Sequence, residues 1–451
     1  MIERDDYRVA LILPQQRKVL AIQIGGTLTL PHVSIPAWTR AAEQLTTIIA
    51  ERWLLKSVVI DCLADSSMAS PCAVIEIYST GTSFGTESFV LADVDQIGIA
   101  ELGETERSEL KAILSDAPNN RGPLSKIGWI REAQAWIQSS VGSHEIEFTD
   151  DIRQLNGGDT FALIRFGTRK GPAYWLKAVG EPNLHELEIT SCLAQIGQKY
   201  LPPFVSSRQD WHAWAMEEVG EDLSKSPTLD SCARTVNTLA QLQMQFLGKQ
   251  DALLGCGCAD HRGETLLSHL DDYFDYAVQA MEMQISQKVV RLAKSRIFEL
   301  REIVRAAIER QLVVAVPDSL HHNDMSLGCV LSDGVRLVFT DWSEACVGNP
   351  SLTFELFRAT LRRDVAASVA WAPELCTRYQ KAWSTVLDER AMNEMLILSP
   401  ILTIYSHFYS RGPDWTLGRR DDPGFQRRTR SLIRHLDRAA AELIPQKPEC
   451  L

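Results

Sequence analysis

The chain has 451 residues, 45% of them apolar and 23% charged, and a formal net charge of −12. That length and balance suit a soluble globular protein of two or three domains with sizeable cores, and exclude bulk disorder. An acidic surface excludes nucleic acid and anionic membrane as partners, since both need a basic face, and favours a cationic ligand.

The opening residues, Met1-Ile2-Glu3-Arg4-Asp5-Asp6, are mostly acidic and lead into no long apolar run, so they do not read as a signal peptide. No stretch approaches the ~18 apolar residues of a membrane span. The ten cysteines are scattered, which reads as reduced thiols in a cytoplasmic protein. The tightest group, Cys256-Gly257-Cys258-Ala259-Asp260-His261, has no second pair to complete a four-ligand zinc site and reads as a turn before a helix.

Short apolar runs predict strands at Val9-Ala10-Leu11-Ile12-Leu13, Val19-Leu20-Ala21-Ile22 and Val33-Ser34-Ile35, with Gly25-Gly26 as a break. Ala41, Leu45, Ile48, Ile49 and Trp53 recur at helical spacing and predict a helix over 38–53. Strands follow at Val58-Val59-Ile60, at 73–78 and at Phe89-Val90-Leu91, and a polar helix at 103–114 closes the segment. This order resembles a Nudix-type α/β domain, in fold only. A Nudix hydrolase needs a glycine, then Arg-Glu and Glu-Glu pairs on one helix; here only Glu51 remains, followed by Arg52-Trp53-Leu54. Residues 1–115 are expected to form a small Nudix-like α/β domain with a degenerate catalytic box.

Residues 115–123 are linker-like, and Ile127, Ile130, Trp136 and Ile137 predict a helix over 126–138, so 116–144 reads as linker and helix. From about 145 the pattern changes. A strand runs into the turn Gly157-Gly158, strands are expected at 161–166 and 174–179, a helix at 183–196, and a further strand at 213–219. Residues 145–222 thus form a small β-rich lobe. Helices are expected at 229–247, 262–282, 286–310, 353–362, 373–386, 389–407 and 423–443, making 223–451 a helical lobe.

The strongest chemical signal lies in that second lobe: Leu320-His321-His322-Asn323-Asp324, then Cys329, then Val338-Phe339-Thr340-Asp341-Trp342. A His-x-Asp loop followed by a short apolar strand ending in Asp is the working end of a kinase-type phosphotransferase. On these residues, the segment from ~145 to ~445 resembles the aminoglycoside phosphotransferase and choline kinase-like superfamily of small-molecule kinases. The loop of that superfamily reads roughly His-Gly-Asp-Leu-His-Pro-Gly-Asn, followed by a strand and Asp-Trp; this chain has His322-Asn323-Asp324-Met325-Ser326-Leu327-Gly328-Cys329, then Asp341-Trp342. Gly348-Asn349-Pro350 stands where the family often has Gly-Asp-Pro. The expected fold class is α+β, a two-lobed protein-kinase-like fold preceded by the Nudix-like domain.

The resemblance implies roles. Asp324 would accept the acceptor hydroxyl's proton, with His322 bracing the loop. Asp341 would hold Mg²⁺ through a hard carboxylate oxygen. Lys177 would meet the α- and β-phosphates of ATP, or another nucleoside triphosphate. Its ion-pair partner on the next helix is Glu186 or Glu188, with Glu186 preferred. Gly157 and Gly158 could let backbone N–H groups approach phosphate, and backbone groups near Glu217 and Val219 would bind adenine. Asp271-Asp272-Tyr273-Phe274-Asp275-Tyr276 and Ser406-His407-Phe408-Tyr409-Ser410-Arg411 are the segments expected to face the acceptor.

The chain departs from the pattern at Cys329, where the family has a second metal ligand, an Asn; a thiol suits hard Mg²⁺ poorly. Ser326 and Leu327 also replace a His and a Pro. The expected function is ATP-dependent phosphorylation of a hydroxyl on a small molecule. The alternative is a catalytically impaired pseudokinase or ligand-binding regulatory protein.

Overall fold

A computed structural model describes residues 3–80, 88–115, 121–142 and 146–443. Residues 116–120 of the expected linker lie outside them. The chain forms two compact units, Met1–Leu187 with Pro203–Glu218, and Glu188–Pro202 with Val219–Leu451.

The first unit opens with a mixed sheet. Strands β1 (Arg4–Leu13), β2 (Lys18–Ile24), β3 (Thr27–Thr29) and β4 (His32–Pro36) precede helix α1 (Ala41–Trp53); β5 (Leu55–Leu63), β6 (Cys72–Thr80) and β7 (Phe89–Ala92) complete it. The order is β3-β2-β1-β6-β5, with β4 beside β1 and β7 beside β2. β1 and β6 run parallel. Because side chains alternate along a strand, these apolar strands feed two cores. Val9 and Leu11, Val59, and Ala73, Ile75 and Ile77 pack on Ala42, Leu45, Ile49 and Trp53 of α1. Ala10 and Ile12, Val58 and Ile60, and Cys72 and Val74 point to the opposite face.

That opposite face meets α2 (Glu104–Ser115), α3 (Trp129–Val141) and a second sheet. The second sheet contains β8 (Phe148–Gly157), β9 (Ala162–Thr168), β10 (Tyr174–Ala178), β11 (Phe204–Arg208) and β12 (Ala213–Glu217), in the order β11-β12-β10-β9-β8. Helix α4 (Glu186–Gly197) follows β10 in the chain. Ile164 and Phe166, Leu176, and Ala213 and Ala215 join Ala10, Ile12 and Val74 in one apolar cluster. The N-terminal segment and the β-rich segment, expected as separate domains, therefore share a core.

A polar clasp closes the same seam. Gln154 of β8 acts as a peptide group would: its Oε1 accepts from the Val59 N–H and its Nε2 donates to the Val59 carbonyl, each at 2.8 Å. Both residues border register shifts in their sheets, where the ladder is locally interrupted. The buried Asp61 carboxylate accepts from Arg121 and from Ser125 on the segment leading to α3.

The second unit contains β13 (Glu221–Asp222), α5 (Leu229–Gln245), α6 (Gln250–Gly255), β14 (Ala259–His261), α7 (Gly263–Ser268), α8 (Leu270–Glu282) and α9 (Lys294–Val313). β15 (Ser319–His321), β16 (Val330–Ser332), β17 (Leu337–Phe339) and β18 (Cys346–Gly348) follow. The chain then runs through α10 (Ser351–Asp364), α11 (Ala372–Trp383), α12 (Glu389–Tyr409), α13 (Pro413–Leu417) and α14 (Pro423–Leu443). Two three-stranded sheets, β13-β16-β17 and β14-β18-β15, carry the loops described below. Helix α12 is apolar on nearly all sides and buries Met395, Leu398, Ile401, Leu402, Tyr405 and Phe408, as a helix at the centre of a bundle must. Its start is fixed by Asp388, whose carboxylate accepts from the Ala391 N–H at 2.7 Å.

Two expected helices are shorter than their periodicity suggested. The helix over 262–282 breaks at His269 into α7 and α8, and the one over 286–310 begins only at Lys294. Before it, the Gln284 side-chain amide donates to the carbonyls of Ser286 and Val289, both at 2.7 Å, which holds that stretch in a turn. No helix among the described residues is long and apolar enough to cross a membrane.

Candidate active site

In the second unit, β15 runs directly into His322-Asn323-Asp324, and the β16–β17 hairpin delivers Thr340-Asp341. Three contacts lock the loop to the strand end. His322 Nε2 lies 2.8 Å from the Thr340 carbonyl, its ring sits 4.5 Å from the Trp342 ring, and the Thr340 N–H donates to the Cys329 carbonyl at 2.9 Å. This is the geometry of a brace for His322. Asn323 and Asp341 both adopt left-handed backbone conformations, with φ of 54° and 70°. Asn is among the few residues that tolerate this region. Left-handed Asp is costlier, and such strain concentrates at functional sites.

Asp324 and Asp341 are close enough for each charge to act on the other. Crowding by protein atoms, then the negative charges of Asp341 and Glu344, push the Asp324 carboxyl up to about 6; Arg428 pulls it down. The Asp324 side chain still reaches solvent.

Behind the loop lies a buried polar network that the sequence did not reveal. The His322 N–H donates to Thr353 Oγ1 at 3.0 Å, so the Thr353 hydroxyl proton is available to His321 Nδ1 at 2.8 Å. His321 Nε2 then carries its proton and donates to Asn323 Oδ1 at 3.1 Å. His261 Nε2 donates to the Ser410 carbonyl, which leaves His261 Nδ1 to accept from Ser406 Oγ at 2.7 Å. Ser406 also lies 3.1 Å from Asn323 Oδ1. The ligand atoms of His261, His321 and Cys346 lie within 4.8 Å of one another, a spacing open to a metal. The tautomers above engage every imidazole nitrogen, so the cluster works as a hydrogen-bonded brace for Asn323 and hence for Asp324. The signal was present in part: His261 closes the Cys256–His261 group, and Ser406 opens an aromatic segment singled out in the sequence.

This brace predicts acid sensitivity. Burial lowers the His261 pKa to about 4 and lowers that of His321 well below its usual value. A group depressed in the folded state contributes stability that is present above its unfolded pKa of about 6.5 and is lost as pH falls toward the folded value. For His261 alone that amounts to roughly 3 kcal/mol. The melting temperature should therefore fall between pH 6.5 and about 4, and His261→Asn should flatten that fall. An unchanged pH profile in the variant would refute the account.

Cys329 is buried and points inward. Its Sγ donates to the Asp324 carbonyl at 3.4 Å and lies 3.2 Å from Ser326 Oγ. Burial holds the thiol up at about 11, hence protonated. A neutral, inward thiol does not fit magnesium, whereas the solvent-facing Asp341 carboxylate does. Cys329 thus stabilises the turn after Asp324 and offers no hard ligand.

In the first unit, Lys177 of β10 sits opposite Trp214 in the sheet, with its Nζ 5.6 Å from that ring. It pairs with Glu186, at the start of α4, at 2.5 Å. Glu186 is buried and Glu188 exposed, so the pair is the one preferred from sequence. Gly157 and Gly158 both have negative φ; they are needed for space. A Cβ on Gly157 would meet the Gln154 side chain at 2.2 Å, and one on Gly158 would meet the Phe161 ring at 2.5 Å. The turn is tethered from the linker side: the Leu124 N–H donates to the Asp159 carbonyl at 2.9 Å, and the Gly122 N–H to its carboxylate at 3.2 Å. The Glu217 N–H is engaged by the Pro203 carbonyl at 2.9 Å. Val219, the first residue of the second unit's main segment, is buried.

The two segments expected to face the acceptor separate. Asp271 pairs with Arg301 and Arg305 at 3.2 and 2.9 Å, while Tyr273, Phe274 and Tyr276 are core residues. Asp272 and Asp275 of that helix are exposed. The 406–411 segment instead reaches the His322–Asp324 loop through Ser406, and Arg411 pairs with Glu344 at 2.9 Å.

Comparison with protein families finds no match, and none of the curated proteins matches. Among solved structures, the chain is similar to a choline kinase from Cryptosporidium parvum, at 14% identity over 70% of this chain and 97% of that one, with a TM-score of 0.49. It is similar to an ethanolamine kinase from Plasmodium vivax, at 15% identity over 74% and 95%, with a TM-score of 0.45. A putative fructosamine-3-kinase from Thermobifida fusca gives 15% identity over 67% and 98%, with a TM-score of 0.43.

Proposed function

We propose that the chain is an ATP-dependent phosphotransferase that works with magnesium on a hydroxyl of a small molecule, in the cytoplasm. One observation carries the reading: His322 and the Cys329–Thr340 contact lock the Asp324 loop to the strand end that bears Asp341, and the negative charge of Asp341 acts on Asp324. Two carboxylates placed to feel each other's charge suit a proton acceptor beside a cation ligand. In this reading Asp324 orients the acceptor hydroxyl and takes its proton. Asp341 holds magnesium, which when bound neutralises the phosphoryl oxygens of ATP. Lys177, oriented by Glu186, pairs with nucleotide phosphates. Backbone groups near Glu217 and near Val219 are the ones assigned to adenine. The Gly157-Gly158 turn is a phosphate-side wall. The N-terminal sheet with α1 is Nudix-like in shape only; Glu51 lies on α1 without its partners.

A second reading, an impaired kinase that binds nucleotide and signals, draws on Cys329, which withdraws one metal contact.

Thermal unfolding with ATP, with and without magnesium, tests both. ATP at about 100 times its dissociation constant should stabilise the protein by roughly 2.7 kcal/mol, and more weakly without the metal. Cys329→Asn should enlarge the magnesium-dependent part and raise turnover. No shift with any nucleotide would overturn the kinase reading. A shift indifferent to magnesium in both proteins would favour the second.

A further inference from the structure

Cysteines that are scattered along the sequence meet at the end of α6. Cys256 caps that helix, Cys258 follows before β14, and Cys192 arrives from α4; all belong to the second unit. Two consecutive carbonyls gather them. The Ala252 carbonyl accepts from the Cys256 N–H at 3.1 Å and lies 3.9 Å from Cys192 Sγ. The Leu253 carbonyl accepts from the Cys258 N–H at 3.1 Å and from the Cys256 thiol at 3.1 Å. Leu193 of α4 shares one apolar cluster with Leu253 and Cys258, and Cys256 packs against it.

A zinc site does not fit here. The nearby histidine, His261, spends both ring nitrogens on Ser406 and Ser410, and Asp260 pairs with Arg262 at 2.7 Å, so the sulfurs lack a further ligand. What the cluster offers is thiol chemistry. Cys192 and Cys256 are both partly exposed, whereas Cys258 is buried. A hydrogen bond from the Cys258 thiol, opposed by burial and helped by one from Cys192, brings Cys256 down to about 6. A thiol that ionises near neutral pH and reaches solvent is the one that attacks disulfides. Burial, then the neighbouring Cys256, holds Cys192 up at about 12.

We propose that Cys192 and Cys256 are a redox-responsive pair, which closes into a reversible disulfide between α4 and the end of α6 when a small disulfide is the oxidant. The Cys256 thiolate attacks one sulfur of that disulfide. The reagent's S–S bond breaks, and its other half leaves as a thiolate that takes up a proton. Cys192, deprotonated in turn, attacks Cys256 Sγ and expels the second half. Two protein thiols are oxidised and one small disulfide is reduced to two thiols. The bond joins the helix that opens with Glu186, the partner of Lys177, to the turn before β14, which carries His261 of the loop brace. The pair stands independently of the phosphotransferase reading.

Oxidised glutathione serves as the probe. The full chain, reduced, desalted, dilute and well below its melting temperature, is incubated with it, quenched by alkylation and mapped as peptides without reduction. A glutathione adduct on Cys256 should appear first and give way to a Cys192–Cys256 cross-link, because the second step needs the less acidic thiol. Dithiothreitol should restore both thiols. In Cys192→Ser the adduct on Cys256 should persist, and in Cys256→Ser Cys192 should stay alkylatable. Retention of both thiols in the wild type overturns the proposal, and so does pairing of Cys256 with Cys258. An adduct that persists equally in wild type and Cys192→Ser overturns it as well.

Discussion

Asp324→Asn is expected to lower phosphoryl transfer by roughly 10²–10⁴-fold while leaving nucleotide-dependent stabilisation intact. The substitution preserves size and removes only the ability to take a proton. The supports of the loop do not pass through the carboxylate: the Asp324 N–H donates to the His322 carbonyl at 2.8 Å, and its carbonyl accepts from Cys329. Asn323 stays anchored by the proton that His321 Nε2 donates to its Oδ1. A loss of turnover therefore reports proton transfer and orientation, and the folded state should be little changed. If anything, removing one of three neighbouring negative charges relieves repulsion with Asp341 and Glu344. Full turnover in the variant would show that the hydroxyl proton leaves by another route. Loss of nucleotide binding together with turnover would show that Asp324 is a ligand to the nucleotide's metal, and would reverse the roles given to Asp324 and Asp341.

The arrangement of the loop and strand end was legible because it is local. His322, Asp324 and Asp341 lie within twenty residues or so, and their spacing alone implies a loop, a hairpin and a strand end. The Lys177–Glu186 pair was legible for a similar reason: a lysine in an apolar strand demands a carboxylate, and the next helix starts with one. Helical periodicity placed α5, α10, α11, α12 and α14 well because each has a long run with an apolar face or core. It overextended the helix before Lys294, where a single side chain, Gln284, competes for the backbone. What spacing could not convey is contact between distant segments. His261, His321, Thr353 and Ser406 come from four separate elements, β14, β15, α10 and α12, and meet only in the folded chain. Cys329 looked like a spoiled metal ligand, whereas its burial gives the thiol a packing and hydrogen-bonding task of its own.

The division of the first unit was the least legible feature, and it makes the largest stability prediction. A run of Pro, Asn and Gly around 115–123 reads as a boundary between domains, yet the apolar faces on either side belong to one cluster. Removing residues 1–115 would bare Ile164, Phe166, Leu176, Ala213 and Ala215 and strip Gln154 of both its partners. At about 25 cal/mol per Å² of apolar surface, baring a sheet face costs more than the few kcal/mol by which domains are stable. The shortened chain should therefore lose fixed tertiary structure in the β-rich lobe, seen as dye binding and loss of near-ultraviolet circular dichroism. A cooperative melt at the full-length temperature would refute the shared core. Gln154→Leu tests the clasp without exposing the core. It leaves the Val59 N–H and carbonyl buried and unpaired, at about 1–3 kcal/mol for each group. Because Gln154 also abuts Gly157, the same substitution should loosen the Gly157-Gly158 turn, measured as faster amide exchange there. Protection of that turn in the wild type and its loss in Gln154→Leu would tie the N-terminal sheet to the Gly157-Gly158 turn.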